Sequence, residues 1–367
     1  MKTKAAVTYD QGAKFEISEV ELKEPKANEV LIKVVASGVC HTDAVARDQD
    51  APVPLPAVLG HEGSGIVEKV GEGVRSVEEG DHVVLSYSSC GQCENCLMGR
   101  PAYCHHMMEL NFGGIMPDGT HRLYEGDQEL STFFGQSSFG TYAVAHERNV
   151  VKVDKDVELE LLGPLGCGIQ TGAGTVLNKL KPQFGETIAV FGCGAVGLSA
   201  IMAAGITSAS EIIAIDVHDS RLELAKSLGA THTINGKQEE DVVEKIKELS
   251  NGGVHYSVET TSVPGVTRQS VLALRSLGVS AVVGVTPDTT FNVFEEIMAE
   301  GKSLIGAIEG DSVPQLFIPK LVDYYKQGRF PFDKLVKYYN LEEINEAFDD
   351  SANGQTVKPI LKMDHAE

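Results

Sequence analysis

Two textures divide the chain. In roughly its first 155 residues, short β-branched runs (Glu29 to Val35, Ile66 to Val70, Asp81 to Leu85) are bounded by Gly, Asn, Pro or Asp. That pattern predicts strands between turns. Little here repeats at helical period, so a mainly-β, loop-rich region is expected. From Thr187 onward, strand-length apolar runs alternate with helical stretches. Strands are predicted at 187–191, 211–215, 231–234, 254–258, 279–285 and 303–307, with helices at 195–204, 221–228, 241–249, 264–277 and 292–299. Such alternation predicts an α/β unit with a doubly wound parallel sheet. Beyond about residue 309, helices at 318–327 and 341–349 and a closing strand at 358–362 are expected to pack back on the first region. The expected divisions are therefore 1–167, 168–308 and 309–367.

Charge narrows the partners. With 31 Lys and Arg against 52 Asp and Glu the net charge is −21, which opposes binding to nucleic acid or anionic lipid. No window approaches the ~18 apolar residues of a membrane span. Met1–Val7 runs into charge without a signal-peptide core, so the expected location is cytoplasmic. In that compartment seven cysteines are expected to serve metal or chemistry rather than disulfides.

The cysteines fall into groups. Cys90, Cys93, Cys96 and Cys104 lie in a glycine- and proline-bounded loop, and four thiolates at such short spacing can close on one ion. A tetrahedral structural zinc fits; a [4Fe–4S] cluster also uses four cysteines, with a different final spacing. A dispersed set, Cys40-His41-Thr42-Asp43, Gly60-His61-Glu62 and Gly166-Cys167-Gly168, offers two thiolates and an imidazole. Three ligands leave one position open, as in a catalytic zinc site. Asp43 is a candidate to hold His61 or nearby backbone from behind, and Glu62 to approach the metal itself. The seventh cysteine, Cys193, lies in Gly192-Cys193-Gly194-Ala195-Val196-Gly197, between a predicted strand and a predicted helix. With Asp216 ending the next strand, this is the context of a dinucleotide-binding turn. The turn lets a pyrophosphate reach the helix N-terminus. A carboxylate at Asp216 would accept from the ribose hydroxyls and repel a 2′-phosphate, which favours NAD over NADP.

Gly60-His61-Glu62-x2-Gly65-x5-Gly71-x2-Val74 resembles the signature of zinc-containing alcohol dehydrogenases of the medium-chain family, and the resemblance runs from about Ala6 to Ile360. It implies a GroES-like catalytic domain carrying both zinc sites and a Rossmann domain for NAD. It also implies that Cys40, His61 and Cys167 hold the catalytic zinc and the four-cysteine loop the structural one. Thr42 then contacts the alcohol oxygen, Asp216 and Arg221 the adenosine ribose, His41 and Lys358 the pyrophosphate, and backbone at Val283 and Val285 the carboxamide.

Within the family, Pro52–Pro56, Phe133–Phe139 and Leu161–Gly172 are most similar to the aryl (benzyl) alcohol dehydrogenase subgroup, which includes enzymes of allylic alcohols. This implies oxidation of a primary aryl or allylic alcohol to its aldehyde, with Phe133 and Phe134 in the substrate pocket. It also implies a homo-oligomer, a tetramer in preference to a dimer. Three residues past Thr42, where liver-type enzymes often place a relay histidine, stands Val45, so His41 is expected to take part in proton exit. The alternatives are a glutathione-dependent formaldehyde dehydrogenase and a polyol dehydrogenase. Against the first, Met107 and Met108 stand where its glutathione-binding arginine is expected. A dinucleotide-binding protein without catalysis would be expected to have lost a ligand, and none is replaced.

Overall fold

The computed structural model describes residues 1–51 and 53–365, so Pro52 of the Pro52–Pro56 run lies outside the described residues. The chain forms two compact units.

The first comprises Met1–Gly168, Val313–Lys326 and Phe332–Glu367. A closed barrel runs through Lys2–Thr8, Glu16–Leu22, Leu123–Glu125, Gln128–Thr132 and Ala57–Val58. A second sheet is built on Glu29–Gly38, which pairs antiparallel with Gly63–Val70, Tyr142–His146 and Lys358–Lys362. Held on both edges, this strand is almost wholly buried, as its unbroken apolar run demands. Phe15, Phe139 and Phe348 pack ring against ring beside it, with centroids 4.9 to 6.0 Å apart. The region is not purely β. Helices His41–Arg47 and Met107–Phe112 interrupt it, and at seven and six residues neither is long enough to show a period in sequence.

The second unit comprises Ile169–Ser312 and Gln327–Pro331. Its six strands are all parallel, in the order His232–Asn235, Glu211–Asp216, Thr187–Phe191, Val254–Glu259, Leu274–Val282 and Ser303–Gly306. This is the doubly wound order with the first strand at the centre. Thr187–Phe191 is accordingly buried at every position. One boundary departs from the apolar pattern. The helix expected to reach 277 stops at Leu272, and the next strand begins at Leu274, which pairs with Val254. Leu277 then adopts φ +65° and is left exposed, so pairing with the sheet overrides the helical period. The same strand ends at Val282 because the Val283 and Gly284 amides both turn to the Glu259 carbonyl.

No helix among the described residues is long and apolar enough to cross a membrane.

One buried ion pair pins the start of the central strand of the first unit. Arg122 meets Glu29 through both Nε and Nη2, its Nη2 also reaches Asp118, and the Arg122 and Glu29 side chains are 2% and 5% exposed. Removing one partner leaves a buried charge without compensation. Arg122→Met is expected to destabilise the first unit by about 3 kcal/mol in urea denaturation. An unchanged midpoint would show that the pair carries no stability.

Candidate functional site

Four sulfurs converge in the loop of the first unit. The Sγ atoms of Cys90, Cys93, Cys96 and Cys104 lie within 4.8 Å of one another, with Cys90–Cys96 at 3.9 Å and Cys93–Cys104 at 4.0 Å. Backbone amides point at them: Cys93 N–H at Cys90 (3.3 Å), and Cys90 and His106 N–H at Cys104 (3.3 and 3.4 Å). Amides from His105 and Cys96 bring the Cys93 thiol down to about 6, whereas burial and the neighbouring Cys93 push Cys96 up to about 12. Four thiolates this close repel one another without a cation, and a tetrahedral divalent ion removes that conflict. The donor set fits zinc.

The second set is assembled from three distant stretches. Cys40 caps the helix His41–Arg47 at the end of the long central strand. His61 follows Gly60, whose φ of +90° and contact with Phe139 (2.5 Å from where a Cβ would stand) admit only glycine. Cys167 follows Gly166, where a Cβ would stand 2.0 Å from the Leu85 carbonyl. These turns bring the donor atoms of Cys40, His61, Glu62 and Cys167 within 4.8 Å of one another.

Asp43 organises the group. Its Oδ1 accepts from His61 Nδ1 (2.9 Å) and the Gly60 amide (3.1 Å), and its Oδ2 from the Cys40 amide (3.0 Å). With Nδ1 so engaged, His61 Nε2 is buried and has no hydrogen-bond partner. An orphaned ring nitrogen beside two sulfurs is what a metal ligand looks like without its metal. Burial opposes charge on the ring, but Asp43 outweighs it and holds the imidazole pKa well above its usual value. The Cys40 thiol is held well below its own by a hydrogen bond with Cys167, against the cost of burial, with help from His61 and the Lys358 charge. Gln136 secures the His61 carbonyl (3.0 Å), a contact that no local spacing announces.

Glu62 faces another way as well. Fully buried, it accepts from the Gly168 amide (3.0 Å) and from Lys358 Nζ at 3.0 and 2.9 Å. Burial raises the Glu62 carboxyl pKa and Lys358 opposes that rise. Lys358, the residue expected at the pyrophosphate, is held against this carboxylate. Its third hydrogen bond goes to the Val39 carbonyl (3.1 Å). Phe133 and Phe134 pack around the His61 imidazole. Both are buried; Phe134 stacks on His61 (4.6 Å between centroids), Phe133 meets it edge-on (5.4 Å), and Phe112 packs against both. Their rings brace the imidazole. Thr42 Oγ1 lies 3.8 Å from Cys40 Sγ, and His41 is exposed.

The second unit holds the glycine turn. Gly192 has φ +91°, and a Cβ there would stand 2.5 Å from Thr260 Oγ1. Gly194 caps the helix Ala195–Thr207, and Gly192, Gly194, Ala195 and Val196 are part-exposed, whereas Gly197 is buried. Asp216 Oδ2 accepts the Cys193 amide (2.7 Å), and its Oδ1 accepts those of Val217 and His218. Arg221 brings Nη1 within 3.6 Å of where a Gly194 Cβ would stand, and its buried Nε has no partner. The turn, the carboxylate and the unpaired guanidinium suit a dinucleotide. Val283 gives its amide to the sheet, and Val285 is 86% exposed.

Residues 26–155 match the alcohol dehydrogenase GroES-like domain model, and residues 195–324 the zinc-binding dehydrogenase model. A geraniol dehydrogenase of Castellaniella defragrans is 45% identical over 98% of both chains. The crystal structure of a benzyl alcohol dehydrogenase from Acinetobacter calcoaceticus superposes with a TM-score of 0.96 at 51% identity, covering 99% of this chain and 100% of that one. A probable S-(hydroxymethyl)glutathione dehydrogenase of Schizosaccharomyces pombe is 36% identical, over 98% of this chain and 97% of its own.

Asp43→Asn is expected to weaken metal binding at Cys40/His61/Cys167 by about 10- to 100-fold in chelator competition, leaving the four-cysteine ion in place. Equal retention at the two sites would remove Asp43 from metal binding.

Proposed function

Because the chain belongs to the zinc-binding alcohol dehydrogenase family, close to its benzyl alcohol branch, we propose that it oxidises a primary aryl or allylic alcohol to the aldehyde, reversibly, using NAD and two zinc ions per chain. The observation that carries the chemistry is the unpartnered His61 Nε2 beside two cysteine sulfurs. The substrate class rests on relatives whose names give geraniol, an allylic alcohol, and benzyl alcohol. A glutathione-dependent reading has a 36% identical relative behind it. Met107 and Met108, where that class is expected to carry its arginine, argue against it.

When bound, zinc at Cys40, His61 and Cys167 supplies a Lewis acid that favours loss of the alcohol proton, and NAD supplies the hydride acceptor. The chain's own residues do the rest. Asp43 holds His61 with Nε2 presented and anchors the Cys40 backbone. Thr42 takes up the alcohol's proton and hands it on, since a hydroxyl is too weak a base to keep it. His41, exposed one residue earlier, is the imidazole that receives it, because Val45 stands where another relay could have been. Asp216 selects NAD, its carboxylate accepting from a ribose hydroxyl and repelling a 2′-phosphate.

Initial rates over benzyl, cinnamyl, geranyl and short aliphatic alcohols, each with NAD and NADP, test this reading. An aryl or allylic alcohol should exceed ethanol in kcat/KM, ring burial supplying a few kcal/mol at ~25 cal/mol per Å². NAD should lead NADP by about two orders of magnitude. Ethanol ahead by about tenfold would reject the substrate class, an absolute need for glutathione would move the chain to the other branch, and equal use of NADP would reject the role of Asp216.

Proton exit has its own test. His41→Arg keeps a donor for the pyrophosphate but removes the base, so kcat should fall by at least about tenfold and recover partly at higher pH or with added imidazole, NAD binding being retained. An unchanged kcat would leave His41 as a cofactor contact alone.

A further inference from the structure

In the second unit, Thr187–Phe191, Val254–Glu259 and Leu274–Val282 lie side by side and parallel. Ligands of such sheets bind outside the carboxyl ends of the strands. Glu259 ends the middle strand and is fully buried. Its described partners are threonines and backbone amides, with no basic side chain among them. One carboxylate oxygen accepts from the Thr261 amide and hydroxyl, and the other from the Thr267 and Thr286 hydroxyls, both at 3.3 Å. Its carbonyl accepts the Val283 and Gly284 amides at 2.9 and 3.1 Å. Burying a carboxyl group without a cation is costly, so packing alone does not account for it.

The segment it holds borders open space. Thr286 lines a cavity of about 420 Å³ together with Thr267, Phe291 and Leu304, and Val285 beside it is 86% exposed. Next to Glu259, the Thr260 hydroxyl donates to the Phe191 carbonyl (2.8 Å) and crowds Gly192 of the glycine turn. One strand end thus ties the 283–286 segment to the dinucleotide turn.

We propose that Glu259 is a positioning residue for the nicotinamide end of the cofactor, fixing 283–286 through Thr286, Thr267 and the Val283 and Gly284 amides. This rests on the reading that Val283 and Val285 meet the carboxamide. Glu259 touches no reacting atom; it sets the shape of the segment that does the binding.

Calorimetric titration of the zinc-loaded enzyme with NADH and with ADP-ribose, which lacks the nicotinamide, tests this. Glu259→Ala should weaken NADH by about tenfold and Thr286→Val by about threefold, with ADP-ribose changed less than about twofold in each. Glu259→Gln should stay near wild type, since its amide oxygen still serves Thr261 and its NH2 can donate to the two hydroxyls. NADH affinity unchanged in Glu259→Ala, or NADH and ADP-ribose falling together, would overturn the proposal. If Glu259→Ala fails to fold, Thr286→Val decides by the same two affinities. A wild type that binds neither ligand would sink the dehydrogenase reading, and this inference with it.

Discussion

Everything at the Cys40/His61/Cys167 set depends on one carboxylate. Asp43 takes three hydrogen bonds, from the amide of one ligand, the amide before a second, and the ring of that second ligand. It therefore joins the end of the long central strand to the loop at Gly60. Because Asp43 engages Nδ1, Nε2 is the ring nitrogen left to face the two sulfurs. A single buried side chain thus sets ligand position and ligand chemistry together. Its own burial is tolerable because three donors satisfy it.

Two electrostatic solutions lie side by side in the first unit. In the four-cysteine loop, backbone amides point at the sulfurs, and the closed donor set suits a single ion. In the other set Lys358 reaches across from the closing strand and neutralises Glu62, so the two sulfurs are not joined by a third uncompensated anion. Glu62 lies within the set's reach, and Lys358 supplies the charge that lets it be buried there.

The ligand sets and the dinucleotide turn were legible because the chemistry of each is local. Cysteines with two residues between them can converge on one ion, and Gly192-Cys193-Gly194 after a strand constrains backbone more than side chains. Asp43 was legible as a support for His61 or nearby backbone, and it holds both. What the sequence concealed are partnerships across long separations. Lys358 carries no mark that its charge is needed by Glu62. Nothing in Phe133-Phe134 says that the rings pack on the His61 imidazole. Gln136 and Asn111 are ordinary polar residues until folding places them at backbone groups of His61, Ser88 and Phe134. The fold was legible for a related reason: alternation marks each strand and helix, but where one yields to the next, as at Leu274, is decided by a neighbour in the sheet.

The glycines flanking the ligands bear on how such a site can change over generations. At Gly60 and Gly166 any side chain would collide with backbone, Phe139 N in one case and the Leu85 carbonyl in the other. Neither obstacle can swing aside as a long side chain would. The ligands next to them are consequently moored to the sheets, and drift in sequence cannot move the metal by small steps. Half-buried side chains such as Val45 and Leu55 are under no such backbone constraint. A lineage built on this scaffold can therefore diversify around a chemistry it has no gradual way to leave.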